Sequence, residues 1–412
     1  MSSLKDLASL IMIPSLYKDG ELHTVKPLAD ENVIIHPDAT DNNDGVDGST
    51  PTTSSNFTFS RGSNLAATRV DVNGLIEKGR ENLYTQSNNF SHSDWSPRAE
   101  TFAKGVTDPN GGTDAWSWTA TNTDPFLYQN KSISGVYCLS IYVKGVGSTI
   151  GEDFQIRVGA ALKDVTLTGD WQRVQHFGVL SGSTNIGFEY GNPATANDVV
   201  HIYAAQLEQG LVASDVISST TTSASAGILE DMPRLDYSGG ASCPALLLEP
   251  LRTNIVPNSE YLGDWSLTNG TLTSNATISP QGVQNAGRVV FNNTALDLKR
   301  TIAVTASTTY TFSFYIKKES GADLQGRFYD NSNGANIEYY DYTSQISGTN
   351  WSRVTRQITT PAGCTQMQIW LLAASSSIVT ASFWGAQLET GSYPTSYIPT
   401  YGTSQTLSLI HI

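Results

Sequence analysis

Two stretches of the chain alternate apolar and polar residues in the same phase. In Tyr137–Lys144, Tyr137, Leu139, Ile141 and Val143 share one parity, and Cys138, Ser140, Tyr142 and Lys144 share the other. In Tyr310–Lys317 the apolar set is Tyr310, Phe312, Phe314 and Ile316, set against Thr311, Ser313, Tyr315 and Lys317. Successive side chains of a strand point to opposite faces, so a period of two predicts strands with one buried face. IYAAQLEQG (202–210) and FWGAQLETG (383–391) read as a second pair of strands. Their expected apolar parity is Tyr203, Ala205 and Leu207 in one, and Trp384, Ala386 and Leu388 in the other, which makes Trp384 a core residue. Turn-forming clusters separate such stretches, as at Gly169-Asp170, Asn331-Ser332-Asn333-Gly334 and Ser347-Gly348-Thr349-Asn350. No helical stripe lasts three turns within either of the regions that carry these strands.

The matching strands belong to a long internal repeat. Leu75–Asn82 (LIEKGREN) matches Leu247–Asn254 (LLEPLRTN), and SNNFSHSDW ending at Trp95 matches NSEYLGDW ending at Trp265. YCLSIYVK then matches YTFSFYIK, GDWQRV with Trp171 and Arg173 matches TNWSRV with Trp351 and Arg353, and the two AQLE lines close each copy. The order is the same throughout, so one module is written twice.

The expected fold class is all-β, two tandem antiparallel β-sandwich (jelly-roll) domains behind an N-terminal attachment segment. Residues 1–55 form that segment and an acidic linker, 56–81 a β lead-in, and 82–220 the first sandwich. Residues 221–253 form a linker and second lead-in, 254–400 the second sandwich, and 401–412 a tail. One short helix is expected on Leu4, Leu7, Leu10 and Ile11, ending at Pro14. The final LSLIHI breaks from the polar, turn-rich style before it and reads as a prematurely ended frame.

Composition narrows the function. Of 412 residues only 15% are charged and 9% are aromatic, which suits short strands joined by many turns. A formal charge of −14 repels phosphate backbones, so nucleic acid is not an expected partner. Leu7–Leu16 is interrupted by Ser9, Pro14 and Ser15, with Asp6 where a signal peptide needs positive charge, and no run is long enough to span a membrane. Cys138, Cys243 and Cys364 form no CxxC pair, and Cys138 aligns with Thr311, so no disulfide is expected. DATDNNDGVDGSTPTTSS (38–55) lacks the glutamate that closes an EF-hand loop and reads as a solvated linker.

No GxSxG, HExxH, P-loop or GxGxxG pattern is present, and the six histidines have no counterparts between copies. The neighbouring carboxylates Glu152-Asp153 and Glu338…Asp341 read as solvated. Glu77/Glu249, Arg80/Arg252 and Glu208/Glu389 recur at module borders and read as scaffold ion pairs. No catalytic residue, cofactor or metal ligand is assigned.

Aromatic residues carry the remaining signal. Those at matching positions (Trp95/Trp265, Tyr142/Tyr315, Trp171/Trp351) serve a fold that both copies need, and Trp118 aligns with Val289 as core. Those found in one copy are free to serve specificity, because a sugar ring lays its C–H face on an aromatic plane. The glycan-contact candidates are Trp116 and Tyr128 in the first module, and Tyr329, Tyr340 and Trp370 in the second. Within IEYYDY (337–342), Tyr340 and Tyr342 share one strand face and Tyr339 takes the other, so only one set can form a platform.

FTFSRGSNLAATRVDVNGLIEKGRENL (57–83), MPRLDYSGGASCPALLLEPLRTN (232–254) and WGAQLETGSYPTSYIPT (384–400) resemble bacteriophage virion fibre or spike proteins with tandem carbohydrate-binding-module-like jelly rolls. The resemblance covers most of residues 57–400. It implies a non-enzymatic head or tail appendage, assembled in the host cytoplasm and carried on the virion. Its implied partners are host surface glycans, other virion proteins through the N-terminal segment, and further copies of the chain in a trimer. The alternatives are a virion spacer that binds nothing and a secreted bacterial carbohydrate-binding protein.

Overall fold

The computed structural model describes residues 63, 65–98, 100–190, 194–229, 234–238, 245–247, 249–291, 297–321, 324–373 and 378–407, and a backbone hairpin of Pro14–Lys18 with Glu21–Thr24. The helix expected on Leu4–Ile11, the 38–55 linker and Cys243 lie outside the described residues.

The first sandwich uses Ser96–Arg98 (β1), Glu100–Val106 (β2), Ala115–Ala120 (β3), Phe126–Ser132 (β4), Gly135–Val146 (β5), Asp153–Val158 (β6), Ala161–Thr166 (β7), Gln172–Leu180 (β8), Ser183–Tyr190 (β9) and Val199–Gln209 (β10). The second uses Ser266–Thr268 (β11), Gly270–Thr277 (β12), Ala286–Phe291 (β13), Asp297–Ala303 (β14), Thr309–Ser320 (β15), Leu324–Asp330 (β16), Ala335–Asp341 (β17), Ser352–Thr359 (β18), Gln366–Ala373 (β19) and Val379–Thr390 (β20). Each forms two five-stranded antiparallel sheets. The orders are β8-β5-β10-β3-β2 and β7-β6-β9-β4-β1 in the first, and β18-β15-β20-β13-β12 and β17-β16-β19-β14-β11 in the second. The strand orders are identical when ten is added to each label. The fold is all-β, with two sandwiches in tandem.

The alternating strands bury the predicted parity. Leu139, Ile141 and Val143 lie in one core with Trp118, Phe154 and Phe188, and Phe312, Phe314 and Ile316 lie in another with Phe328 and Tyr342. The AQLE strands correct the expectation. Ala204 (φ 53°) and Gly385 (φ 66°) take left-handed backbone, and the β5–β10 and β15–β20 registers slip beside them. This bulge reverses the phase. Ile202, Ala205 and Leu207 face the first core, and Phe383, Ala386 and Leu388 the second, while Tyr203 lies outside it. Trp384 is buried, but in a satellite cluster with Ile76, Ala286 and Tyr397.

The repeated polar letters form a buried clasp. In the first module Asn82 Nδ2 donates to Ala205 O (3.2 Å) and Ile217 O (2.7 Å), and its Oδ1 accepts from Tyr84 N and Leu207 N (both 3.1 Å). Asn254 repeats this set: Nδ2 to Ala386 O (3.2 Å) and Ile398 O (2.8 Å), Oδ1 from Val256 N and Leu388 N (both 3.1 Å). Gln206 and Gln387 accept from Ile217 N and Ile398 N at 2.7 Å, and each donates to the glutamate two residues on. Glu208 and Glu389 in turn accept from Ser214 N (2.8 Å) and Thr395 N (2.7 Å). Lead-in, closing strand and trailing segment are thereby tied together in both copies. Glu208 and Glu389 are scaffold groups, bound to amides rather than to Arg80 and Arg252. Glu77 and Glu249 do form ion pairs, with Arg69 (2.8 Å) and Arg234 (3.0 Å).

The first lead-in crosses to the second sandwich. Its hairpin, Thr68–Val70 with Ile76–Lys78, donates Thr68 Oγ1 to Tyr397 O (2.5 Å) and Ile76 N to Pro280 O (3.0 Å). Lys78 Nζ lies 3.0 Å from Glu260 Oε1, and Glu260 also accepts from Tyr401 Oη (2.9 Å) and Asn285 Nδ2 (3.1 Å). This ion pair is buried, and the added hydrogen bonds offset its desolvation.

Asn254→Ala would leave two carbonyls and two N–H groups without their side-chain partner. The expected loss is about 3 kcal/mol or more of stability, read by denaturant unfolding followed through tryptophan fluorescence. A loss near zero would show that the clasp does not hold the second module.

Candidate functional site

Alternation puts one set of side chains from the β17-β16-β19-β14-β11 sheet on its outer face. In β16, Leu324, Gly326, Phe328 and Asp330 are buried, while Gln325, Arg327 and Tyr329 are partly exposed. Arg327 sits opposite Trp370 of β19 and Tyr339 of β17, and Trp370 sits opposite Lys299 of β14. One row thus runs Lys299, Trp370, Arg327, Tyr339 across four strands. The next runs Thr301, Gln368, Tyr329, Asn336. Neighbouring strands lie about 4.8 Å apart, so each row spans about 14 Å, the reach of a short oligosaccharide.

Cation–π contacts hold the row together. The Arg327 guanidinium carbon lies 4.6 Å from the ring centres of Tyr329 and Trp370 and 5.0 Å from that of Tyr339. Lys299 Nζ lies 4.5 Å from the Trp370 ring, and Trp370 Nε1 donates to Gln368 Oε1 at 2.9 Å. Tyr339 is 57% exposed. Rings, amides and a guanidinium on one open face suit a ligand with apolar C–H faces and hydroxyl edges.

The other sandwich has a smaller counterpart. Phe126 and Tyr128 stack at 4.8 Å and 24° on β4, with Arg98 and Arg157 each 5.3 Å from the Phe126 ring. Arg98, Phe126, Arg157, Gly159, Thr184 and Asn185 line a depression of about 360 Å³. Arg157 takes the strand position of Arg327, but faces Gly187 where Arg327 faces Trp370.

The five candidates therefore divide. Tyr329 and Trp370 share the second platform, and Tyr128 lies on the first. Tyr340, expected as a contact, is instead 5% exposed and stacks inside on Phe328 at 5.0 Å and 16°. Its ring occupies the space above Gly326, where an added Cβ would lie 2.1 Å from Tyr340 Cζ. Burial raises its hydroxyl pKa above the ordinary value. Trp116 is likewise buried, edge-on to Phe90 at 6.2 Å and 87°, with Nε1 donating to Asn88 O at 2.9 Å. Both are core residues. Tyr339, which strand parity set on the face opposite Tyr340, completes the platform together with Arg327, which was not among the candidates. Their signal was the shared QxR of FQIRV (154–158) and LQGRF (324–328), together with the opposed parity of Tyr339 and Tyr340.

Residues 258–374 match the family model described as a carbohydrate binding domain. The second sandwich is thus similar to carbohydrate-binding modules. That match spans every residue of the platform. No curated protein matches the chain. Among solved structures, the tandem CBM22-1–CBM22-2 domain of Paenibacillus barcinonensis Xyn10C aligns over 80% of this chain and 100% of its own, at 11% identity and a TM-score of 0.29. The CBM22-1 xylan-binding domain of the same protein aligns over 34% and 94%, at 14% identity and 0.27. The enzymatically active domain of bacteriophage CBA120 tailspike protein 4 aligns over 34% and 21%, at 16% identity and 0.27. The fold assignment rests on the strand orders above.

Two predictions follow from these placements. Tyr340→Ala should cost about 3 kcal/mol or more of stability, whereas Trp370→Ala should cost under about 1, both read by denaturant unfolding. Equal losses would place both rings in the same environment. The second concerns Glu100, whose carboxylate accepts from Arg98 N (2.9 Å) and Phe126 N (3.2 Å) beside the first platform. Burial nevertheless pushes its carboxyl up from 4.5 to about 8. A raised acid favours the fold when protonated, so its contribution is full below about pH 4.5 and fades towards about pH 8. Thermal stability should fall across that window in the wild type, and the slope should flatten in Glu100→Gln.

Proposed function

We propose that the chain is a non-catalytic glycan-binding protein and that the outer face of the β17-β16-β19-β14-β11 sheet is its sugar platform. The observation that carries this reading is the Lys299, Trp370, Arg327, Tyr339 row, with Gln368 and Asn336 beside it, inside the residues that match the carbohydrate-binding family. A ring stacked on Trp or Tyr gains about 1 kcal/mol, so a shallow face with a few rings should bind in roughly the millimolar to micromolar range. On the whole-protein level the reading is a phage head or tail appendage, docked through its N-terminal segment and trimeric. It is supported by the likeness of residues 57–83, 232–254 and 384–400 to virion proteins. Three chains on one particle would raise weak sites to useful avidity through effective concentration.

The platform is tested on a glycan array with the full chain. Trp370→Ala and Tyr329→Ala should each weaken binding by about fivefold with little change in melting temperature, as expected for the loss of one stacking contact. If the wild-type chain binds no glycan, the spacer reading stands. The appendage reading predicts the chain in purified particles by mass spectrometry, and a light-scattering mass near three times the 44.4 kDa chain. A monomer at high concentration, or particles without the chain, would contradict it.

A further inference from the structure

We infer that the second platform selects acidic glycans, taking a sugar-borne carboxylate on Arg327. The inference rests on the glycan reading and adds a substrate class to it.

The first ground is the state of Arg327. Among the described residues seven arginines pair with carboxylates, whereas Arg327, like Arg80, Arg173, Arg252 and Arg353, does not. Arg157 binds Glu189 at 3.3 Å, Arg288 binds Glu319 at 2.8 Å, and Arg300 binds Asp264 at 2.8 Å. Among the described residues no carboxylate pairs with Arg327. Within the described residues its one hydrogen bond runs from Nε to Asn336 Oδ1 at 2.8 Å, and none of them supplies an acceptor to either terminal nitrogen. A guanidinium offers two parallel N–H groups in a rigid fork that matches a carboxylate bidentately.

The second ground is preorganisation. Three rings at 4.6–5.0 Å hold the group in place, so little side-chain entropy remains to be lost on binding. Trp370 lies between Arg327 and Lys299 in the row, and both side chains pack over its ring, which fixes the guanidinium beside it. Two carboxylates border the row on one side. Asp297 pairs with Lys299 at 3.3 Å, and Asp341 accepts from Thr343 N at 2.7 Å. On the other side of the row stand the neutral Thr301, Gln368 and Asn336. The first sandwich lacks this feature, because Glu189 already answers Arg157.

The test is titration calorimetry of the full chain against a panel of uronate and sialate oligosaccharides, each paired with its carboxyl-reduced neutral form. At least one acidic member should bind about tenfold or more tighter than its reduced twin, and the gap should shrink as salt rises. Arg327→Gln should bring the acidic ligand down to the level of the neutral one, and Arg327→Lys should retain part of the preference, both with unchanged melting temperature. Equal or tighter binding of the reduced forms would overturn the acidic preference and leave the glycan reading in place. Binding of no member in either form would overturn the inference, and failure across neutral arrays as well would take the glycan reading with it.

Discussion

Asn254 and Gln387 have no access to water, so their amides must be answered within the protein or the module does not close. The answer ties three segments that are distant in sequence: the lead-in strand, the closing strand β20 and the segment that follows it. Asn82 and Gln206 impose the same closure on the first sandwich with nearly the same distances. A slip of one residue in the closing strand would strand several buried donors and acceptors at once. The clasp therefore fixes register, and register decides which side chains reach the outer faces.

The platform follows from that register. Once β16 and β19 are set, alternation places Arg327, Tyr329 and Trp370 outward and Phe328 and Ile369 inward. The two modules share this scaffold but dress it differently. Where Arg327 meets Trp370, Arg157 meets Gly187, and on the next strand of the first module Tyr128 is half-buried and stacks on the buried Phe126. Duplication thus preserves the buried amides and leaves the outer faces free to diverge. The buried Lys78–Glu260 pair ties the first lead-in to the second sandwich, so the two faces belong to a connected unit.

Much of this could be read from the residues. The period of two in YCLSIYVK and YTFSFYIK gave strands with the right buried face, and the paired AQLE lines marked the closure of each module. What escaped the sequence was phase and space. A left-handed residue at Ala204 and Gly385 reverses the apolar parity, and alanine gives no warning of such a backbone. Tyr340 looked as free as Tyr339 until the vacant side-chain position of Gly326 across the strand gave its ring a place inside. Trp116 shares the inward parity of Trp118, two residues on in β3, so alternation alone places it in the core, where its Nε1 meets the carbonyl of Asn88. Arg327 was overlooked because a single charge between aromatics has no period to betray it. Only its alignment with Arg157 marked the position.

Hydrogen–deuterium exchange of the full chain, with and without a bound polysaccharide, tests the central claim most directly, since it reports where a ligand sits without altering any residue. The account predicts slowed exchange in β14, β16, β17 and β19, whose outer side chains form the platform, with the clasp segments unchanged. Protection confined to the first sandwich or to the contact between the modules, with none on those four strands, would contradict it.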